Sequence, residues 1–295
     1  VRAGRAAEQL VLRPVPGPAR HYEIWFREVD SVPKLLVSGR GGSGKSTVVA
    51  LLARTLARSA RVLVVDADES NPGLERMLGL APPGQGLLDY LGGRSAVREQ
   101  LLASLQRERT ERVPFFAAPF RAEDLPAACV SRDGAVGLVR VGKIERAMEG
   151  CACPMGAVAR EFLKQLTVAD GEWVLVDTEA GVEHFGRGVL EGVDFVLLVV
   201  DPSHEAVLLA EKAGRLAAEA QKPFAALLNR GDAETGPFLQ HALQERGVPV
   251  WETLQYSPEV MRANLVGEAL DPGAFRGRLE VLAEDLARLV GRAGG

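Results

Sequence analysis

The stretch that most constrains this chain is "KLLVSGRGGSGKSTVVALLARTLARS", residues 34–59. A short run, apolar on both faces, leads into a loop with glycines at 39, 41, 42 and 44, and a helical pattern follows. A run of the first kind reads as a strand covered by helices on both sides. The loop, "GRGGSGKST", fits G-x-x-x-x-G-K-[ST] between a strand and a helix, and that context gives the motif its meaning. Gly39, Gly41, Gly42 and Gly44, with Ser43 among them, let backbone N–H groups curl around phosphate oxygens. The following helix N-terminus adds a favourable dipole. Lys45 is expected on the β- and γ-phosphates, Ser46 on Mg²⁺ and Thr47 at the loop's end. An ordinary glycine turn before a helix is the alternative.

The rest of the chain repeats the pattern. "RVLVVDAD", "VGLVRVGKI", "EWVLVDTE", "DFVLLVVDPS" and "PFAALLNR" are short Val- and Leu-rich runs. Helical stretches such as "HEAVLLAEKAGRLAAEA" and "FLQHALQERG" lie between them. This alternation predicts an α/β domain: a doubly wound, mostly parallel sheet with helices on both faces. Residues 34–295 read as one such domain, with an irregular, short-helix insertion around 70–135. Residues 1–33, with the proline-rich breaker "RPVPGPAR", read as an N-terminal extension. Near the C-terminus, Phe275, Leu279, Leu282, Leu286 and Leu289 follow helix spacing. Acids and arginines mix on that helix's other face, which reads as a packed terminal helix rather than a membrane-binding one.

Acids close the apolar runs. Asp66 and Asp68 end one, Asp177 ends another, and Asn229 ends a third. The carboxyl ends of parallel strands are where such sheets bind ligands. Asp177 suits an acid holding Mg²⁺ through water. Helix capping is the plain alternative for Asp66 and Asp68, and turn formation for Asn229. Gly181 offers a hinge that a γ-phosphate could set. Glu179, Glu183 and His184 follow as candidates to relay that change, His184 reading better as a surface or satisfied histidine than as a ligand.

The chain has three cysteines, and two are one residue apart in "EGCACPMGAVAREFLKQL". Pro154 favours a helix start, so Cys151 and Cys153 fall at a helix N-terminus, whose field favours thiolate. Two thiolates leave a four-coordinate soft-metal site half complete. A two-fold dimer would bring the same pair from each chain and hold one Zn²⁺ or Ni²⁺ between them. Buried apolar cysteines and a redox pair are the other readings. Cys129 matches no motif. An odd cysteine count at this length suits a reducing, cytoplasmic compartment. The formal net charge of -4 gives no footprint for nucleic acid. The apolar run at "VDFVLLVV" is too short to span a bilayer. The N-terminus lacks the apolar core of a secretory signal; its arginines fit a transit peptide or an upstream extension.

The loop, with Arg40 ahead of Gly41 and Gly42, resembles the deviant Walker A sequence K-G-G-x-G-K-[ST] of the MinD, ParA and nitrogenase iron-protein superfamily of P-loop ATPases. The resemblance implies a nucleotide-sandwich homodimer around ATP and Mg²⁺. Arg40 stands where the family has a lysine that reaches the partner's phosphates, and a guanidinium keeps the charge on a wider fork. By the same resemblance Asp68 positions the attacking water, Asp66 holds the Mg²⁺ water shell and Asn229 reads the adenine amino edge.

"GKIERAMEGCACPMGAVAREFL", "VDTEAGVEHFGRG" and "YSPEVMRANLVGEAL" (256–270) together look like the accessory ATPases that mature carbon monoxide dehydrogenase, the CooC type. In that family the C-x-C pair binds nickel or zinc at the dimer interface, which implies Cys151 and Cys153 as ligands, a nickel enzyme as client and 256–270 near the adenine. Arg40, "DESN" at 68–71 and the first 30 residues depart from the pattern. The expectation is an ATP-hydrolysing metallochaperone with neither nucleic acid nor membrane as partner. A MinD/ParA-like spatial organiser and an iron–sulfur carrier ATPase are the alternatives.

Overall fold

The computed structural model describes residues 34–105, 113–116, 119–144, 153–186 and 188–291. The expected extension at 1–33 and Cys151 lie outside them. In chain order the elements are β1 (Lys34–Gly39), α1 (Lys45–Leu56), β2 (Arg61–Ala67), α2 (Leu74–Leu78), α3 (Leu87–Tyr90), α4 (Gly93–Leu105), β3 (Phe120–Arg121), β4 (Val130–Asp133) and β5 (Val136–Arg140). They continue with α5 (Cys153–Gln165), β6 (Leu166–Thr167), β7 (Glu172–Thr178), α6 (Glu183–Gly186), β8 (Phe195–Val200), α7 (His204–Glu219), β9 (Phe224–Gly231), α8 (Thr235–Gln244), β10 (Val250–Gln255), α9 (Pro258–Val266) and α10 (Arg276–Gly291).

Eight strands form one sheet in the order β10-β9-β8-β1-β7-β2-β5-β4. All neighbours are parallel except β4, which runs antiparallel to β5 at the edge. The doubly wound α/β fold expected from the sequence is what forms. Successive residues of a strand point to opposite faces, and the buried residues divide accordingly. Leu35, Val37, Val62, Val64, Leu175 and Leu197 pack with α1, α2 and α10. Leu36, Leu63, Val65, Val176 and Leu198 pack with α3, α5, α7 and α8 on the other face. Phe275, Leu279, Leu282 and Leu286 are buried in the first of these cores, so the terminal helix packs as its spacing implies.

The 70–135 stretch holds the short helices expected of it, and more: β4 is part of the main sheet. β10 also escaped the sequence reading. Both are edge strands with polar residues at consecutive or alternate positions, Arg132 and Asp133 in β4 and Thr253 and Gln255 in β10. They lack the doubly apolar signature of the inner strands.

The order places β1 between β7 and β8, with β2 beyond β7. β1 and β2 are consecutive in the chain but separated in the sheet, so their carboxyl ends open onto a crevice where chain direction diverges, the ligand position of such sheets. The register sets Asp66 directly beside Asp177. Val65 and Val176 face α5, so the next residue of each strand turns towards α1.

Candidate nucleotide site

The loop from Gly39 to Thr47 connects β1 to α1 at that crevice. Gly44 is the N-cap of α1 with φ of 95° and no side-chain cap, which leaves the first helical N–H groups for a ligand. Gly39 has φ of 154°, and a Cβ there would meet Val199 O at 2.5 Å and Ser43 Oγ at 2.7 Å. The backbone therefore takes a path that only glycine permits. Two groups from β9 brace the loop. Asn229 Nδ2 donates to Ser43 O at 2.8 Å, and Arg230 donates to Gly42 O.

Lys45 is buried, its Nζ 3.5 Å from Arg40 O. Ser46 Oγ donates to Asp177 Oδ2 at 2.5 Å and accepts from Asn71 Nδ2 at 2.6 Å. Asp177 is fully buried, and its Oδ1 has no hydrogen-bond partner among the described residues. Burial, chiefly, pushes Asp177 up to about 7; Ser46 and Lys45 pull against it while Asp66 and Asp68 add to it. Burial likewise lifts Asp66 to about 6, against the pull of Lys143. Lys143 Nζ lies 2.9 Å from Asp66 Oδ1 and 2.6 Å from Asn71 O, and also donates to Asp68 O. Asp68 Oδ1 accepts from Ser70 N at 2.9 Å and Ser70 Oγ at 2.7 Å, which folds the loop after β2 back on itself.

A carboxylate oxygen without a partner, a serine hydroxyl and a second buried carboxylate form an all-oxygen set that suits a hard divalent cation. Ser46, Asp177 and Asp66 therefore fit Mg²⁺. A cavity of about 460 Å³ opens beside them, lined by the loop, Lys45, Asp68 and Asn229 and closed by Tyr256, Val260, Met261 and Phe275. The start of the 256–270 segment thus forms an apolar wall of the cavity. Ser257 starts α9, its Oγ accepting from Val260 N at 3.3 Å.

The segment after β7 is tied to β1. Gly181 N donates to Gly39 O at 3.0 Å, and Ser38 Oγ donates to Gly181 O at 2.9 Å. With φ of 90°, Gly181 takes a backbone conformation that favours glycine, in contact with the loop's first residue. His184 is buried against Phe185, ring to ring at 4.8 Å, so it is no surface residue.

Arg40 points elsewhere. Its Nη2 and Nε grip Asp201 at 2.8 and 3.3 Å on its own chain. Burial would raise the Asp201 carboxyl, but the Arg40 hydrogen bond and charge outweigh it and hold it below its usual range.

Cys153 is the first residue of α5 and is exposed. Among the described residues no group of three or more His, Cys, Asp or Glu is placed to hold a metal ion within one chain. Cys129 is buried and a free thiol.

Sequence reasoning did not single out Lys143, Asn71, Arg230 or Asp201. Lys143 carried a usable signal: like Asp66, it follows the carboxyl end of a strand of the parallel sheet. The other three act through contacts between loops far apart in sequence.

Residues 34–270 match the CobQ/CobB/MinD/ParA nucleotide binding domain. An uncharacterized ATP-binding protein of Methanocaldococcus jannaschii is 37% identical over 240 residues, 81% of this chain and 94% of its own. The carbon monoxide dehydrogenase accessory protein CooC of Rhodospirillum rubrum is 36% identical over 187 residues, 62% of this chain and 68% of its own. Among solved structures, the septum site-determining protein MinD of Pyrococcus horikoshii, complexed with Mg-ADP, superposes with a TM-score of 0.60 at 20% identity, covering 88% of this chain and 98% of its own. The chain belongs to the CobQ/CobB/MinD/ParA nucleotide-binding family and is a P-loop ATPase of the MinD/ParA kind.

Proposed function

We propose that this ATPase is a cytoplasmic metallochaperone that dimerises around ATP and a shared metal and helps insert nickel into carbon monoxide dehydrogenase or a related nickel enzyme. The observation that carries the reading is the sequence C-x-C at 151–153 in a MinD/ParA-type ATPase, whose second cysteine, Cys153, begins α5 and is exposed. The CooC relative supports the client class. Cys151 and Cys153 from each chain would complete a four-sulfur Ni²⁺ or Zn²⁺ site.

In hydrolysis the loop N–H groups and Lys45 would hold the phosphates, and Mg²⁺, held by Ser46 and Asp177 with Asp66 behind, would neutralise charge developing on the γ-phosphate. Asp68 at the cavity wall would orient the attacking water. The Asn229 amide nitrogen is engaged by Ser43, so its carbonyl oxygen would be the group that reads a base. An acceptor suits the amino edge of adenine. For Arg40 to reach a partner's phosphates, its fork on Asp201 must open.

The test is metal content. Protein purified anaerobically, beside a Cys151→Ser/Cys153→Ser variant, is expected to carry close to one Ni²⁺ or Zn²⁺ per two chains, lost in the variant. Metal absent from both would remove the metallochaperone reading. The fold likeness to MinD favours a second reading, a spatial-organising ATPase. ATP-dependent co-sedimentation with liposomes or DNA would select it.

A further inference from the structure

We propose that Lys143 is a positioning residue of the ATPase site, and that the strap carrying it, residues 141–144, couples nucleotide occupancy to the first turn of α5. The inference needs the ATPase reading, not the metal reading.

Lys143 follows β5 and is largely buried. Its ammonium ties the end of β2 to the loop that follows: it holds the Asp66 carboxylate, the Asp68 carbonyl and the Asn71 carbonyl. An ammonium has three donors, and here each has an oxygen of that stretch. The same loop reaches Ser46, because Asn71 Nδ2 donates to Ser46 Oγ, which donates to Asp177. A cation bound on Ser46 Oγ repels an amide N–H on the same oxygen. Filling the Mg²⁺ position therefore displaces the Asn71 side chain, and Lys143 holds the backbone of that residue.

The same strap lies between the β2 side and α5. Val141 N donates to Asp66 O at 2.9 Å, and Ile144 N donates to Glu69 O at 3.1 Å. Arg94 Nη2 bridges Lys143 O at 3.5 Å and Met155 Sδ at 3.8 Å. A Cβ on Gly142 would come within 2.8 Å of Met155 Sδ, so the strap passes close against the first turn of the helix. Met155 is two residues from Cys153. A shift of the loop after β2 thus has a continuous packed route to the cysteine end of α5.

The experiment uses the full chain, reduced and metal-free, with Cys151→Ser so that Cys153 is the reactive thiol at that helix. Its alkylation rate is measured with and without magnesium and a non-hydrolysable ATP analogue, beside ATPase kinetics. With Lys143 intact, nucleotide is expected to change the alkylation rate about five-fold or more. Lys143→Met is expected to lower kcat roughly 10–100-fold with little change in KM, and to abolish the nucleotide-linked change. Lys143→Arg restores part of both. Asn71→Ala, which keeps the lysine and its ion pair, is expected to abolish the linked change as well, and reads the coupling should Lys143→Met fail to fold. An alkylation rate indifferent to nucleotide with Lys143 present, or a linked change that survives in Lys143→Met or Asn71→Ala, overturns the coupling. A kcat within two-fold of the parent in Lys143→Met overturns the positioning role. No nickel or zinc enters the experiment, so its failure is separate from that of the metallochaperone reading.

Discussion

At Gly44 a single backbone angle decides whether the loop keeps its shape. Its φ is 95°, and a Cβ there would run into Asn229 Nδ2, the group that holds Ser43. Gly44→Ala should cost about 1–3 kcal/mol of stability from backbone strain. It should also remove nucleotide-induced stabilisation, since bracing the loop and seating alanine compete for the same space. Thermal unfolding with and without Mg·ATP checks both parts. Asp177 gives a second prediction at this scale. Its folded pKa of about 7, and that of Asp66 near 6, lie above the ordinary 3.8. Between those limits the folded chain binds protons that the unfolded chain has released, so stability falls as pH rises through the window and levels off above it. In magnesium-free buffer, urea midpoints should decline from about pH 4 to pH 7, and Asp177→Asn should flatten the decline. Midpoints that rise across this window would contradict the assignment. These residues were legible because the motif and the strand ends announce them. Lys143, Asn71 and Arg230 were not, since their roles depend on which loops the fold brings together.

The C-terminal half of α5 is fixed by its own packing. Phe162 sits in a ring cluster with Phe116 and Phe120, centroids 5.5 and 5.4 Å away, and is fully buried. Lys34 Nζ donates to Leu163 O near the helix's far end. Phe162→Ala should destabilise the protein by about 3–5 kcal/mol through lost burial and the cavity left behind. Chemical denaturation measures this, and a loss under about 1 kcal/mol would mean the site collapses freely. The six inner parallel strands were legible because both their faces are covered, which leaves unbroken apolar runs. β4 and β10 were not, because an edge strand has one neighbour and tolerates charge. The consequence for function is small at β4 and larger at β10, since the turn from β10 into α9 builds the wall of the cavity with Tyr256 and Val260.

At the scale of the whole molecule, the doubly wound sheet brings the residues of the nucleotide site to the carboxyl ends of its strands, and the proposed dimer turns on Arg40 at that end. Arg40 lies on the rim of the loop but is turned to Asp201, with both oxygens of the carboxylate engaged. A cation held within its own chain is unavailable to a second one, so the fork competes with any contact across a dimer. The pair is partly exposed, and pairs of that kind contribute little. The shift on breaking it is therefore a few-fold rather than orders of magnitude. Asp201→Ala should let the chain dimerise at lower concentration of a non-hydrolysable ATP analogue. Arg40→Ala should weaken nucleotide-dependent dimerisation, and the double variant should follow Arg40→Ala, because the carboxylate matters only through the arginine it holds. Sedimentation velocity across an analogue titration separates these outcomes. Dimerisation unchanged in Arg40→Ala would show that the guanidinium serves only to brace its own loop against β8, and the partner contact would then have to come from another residue.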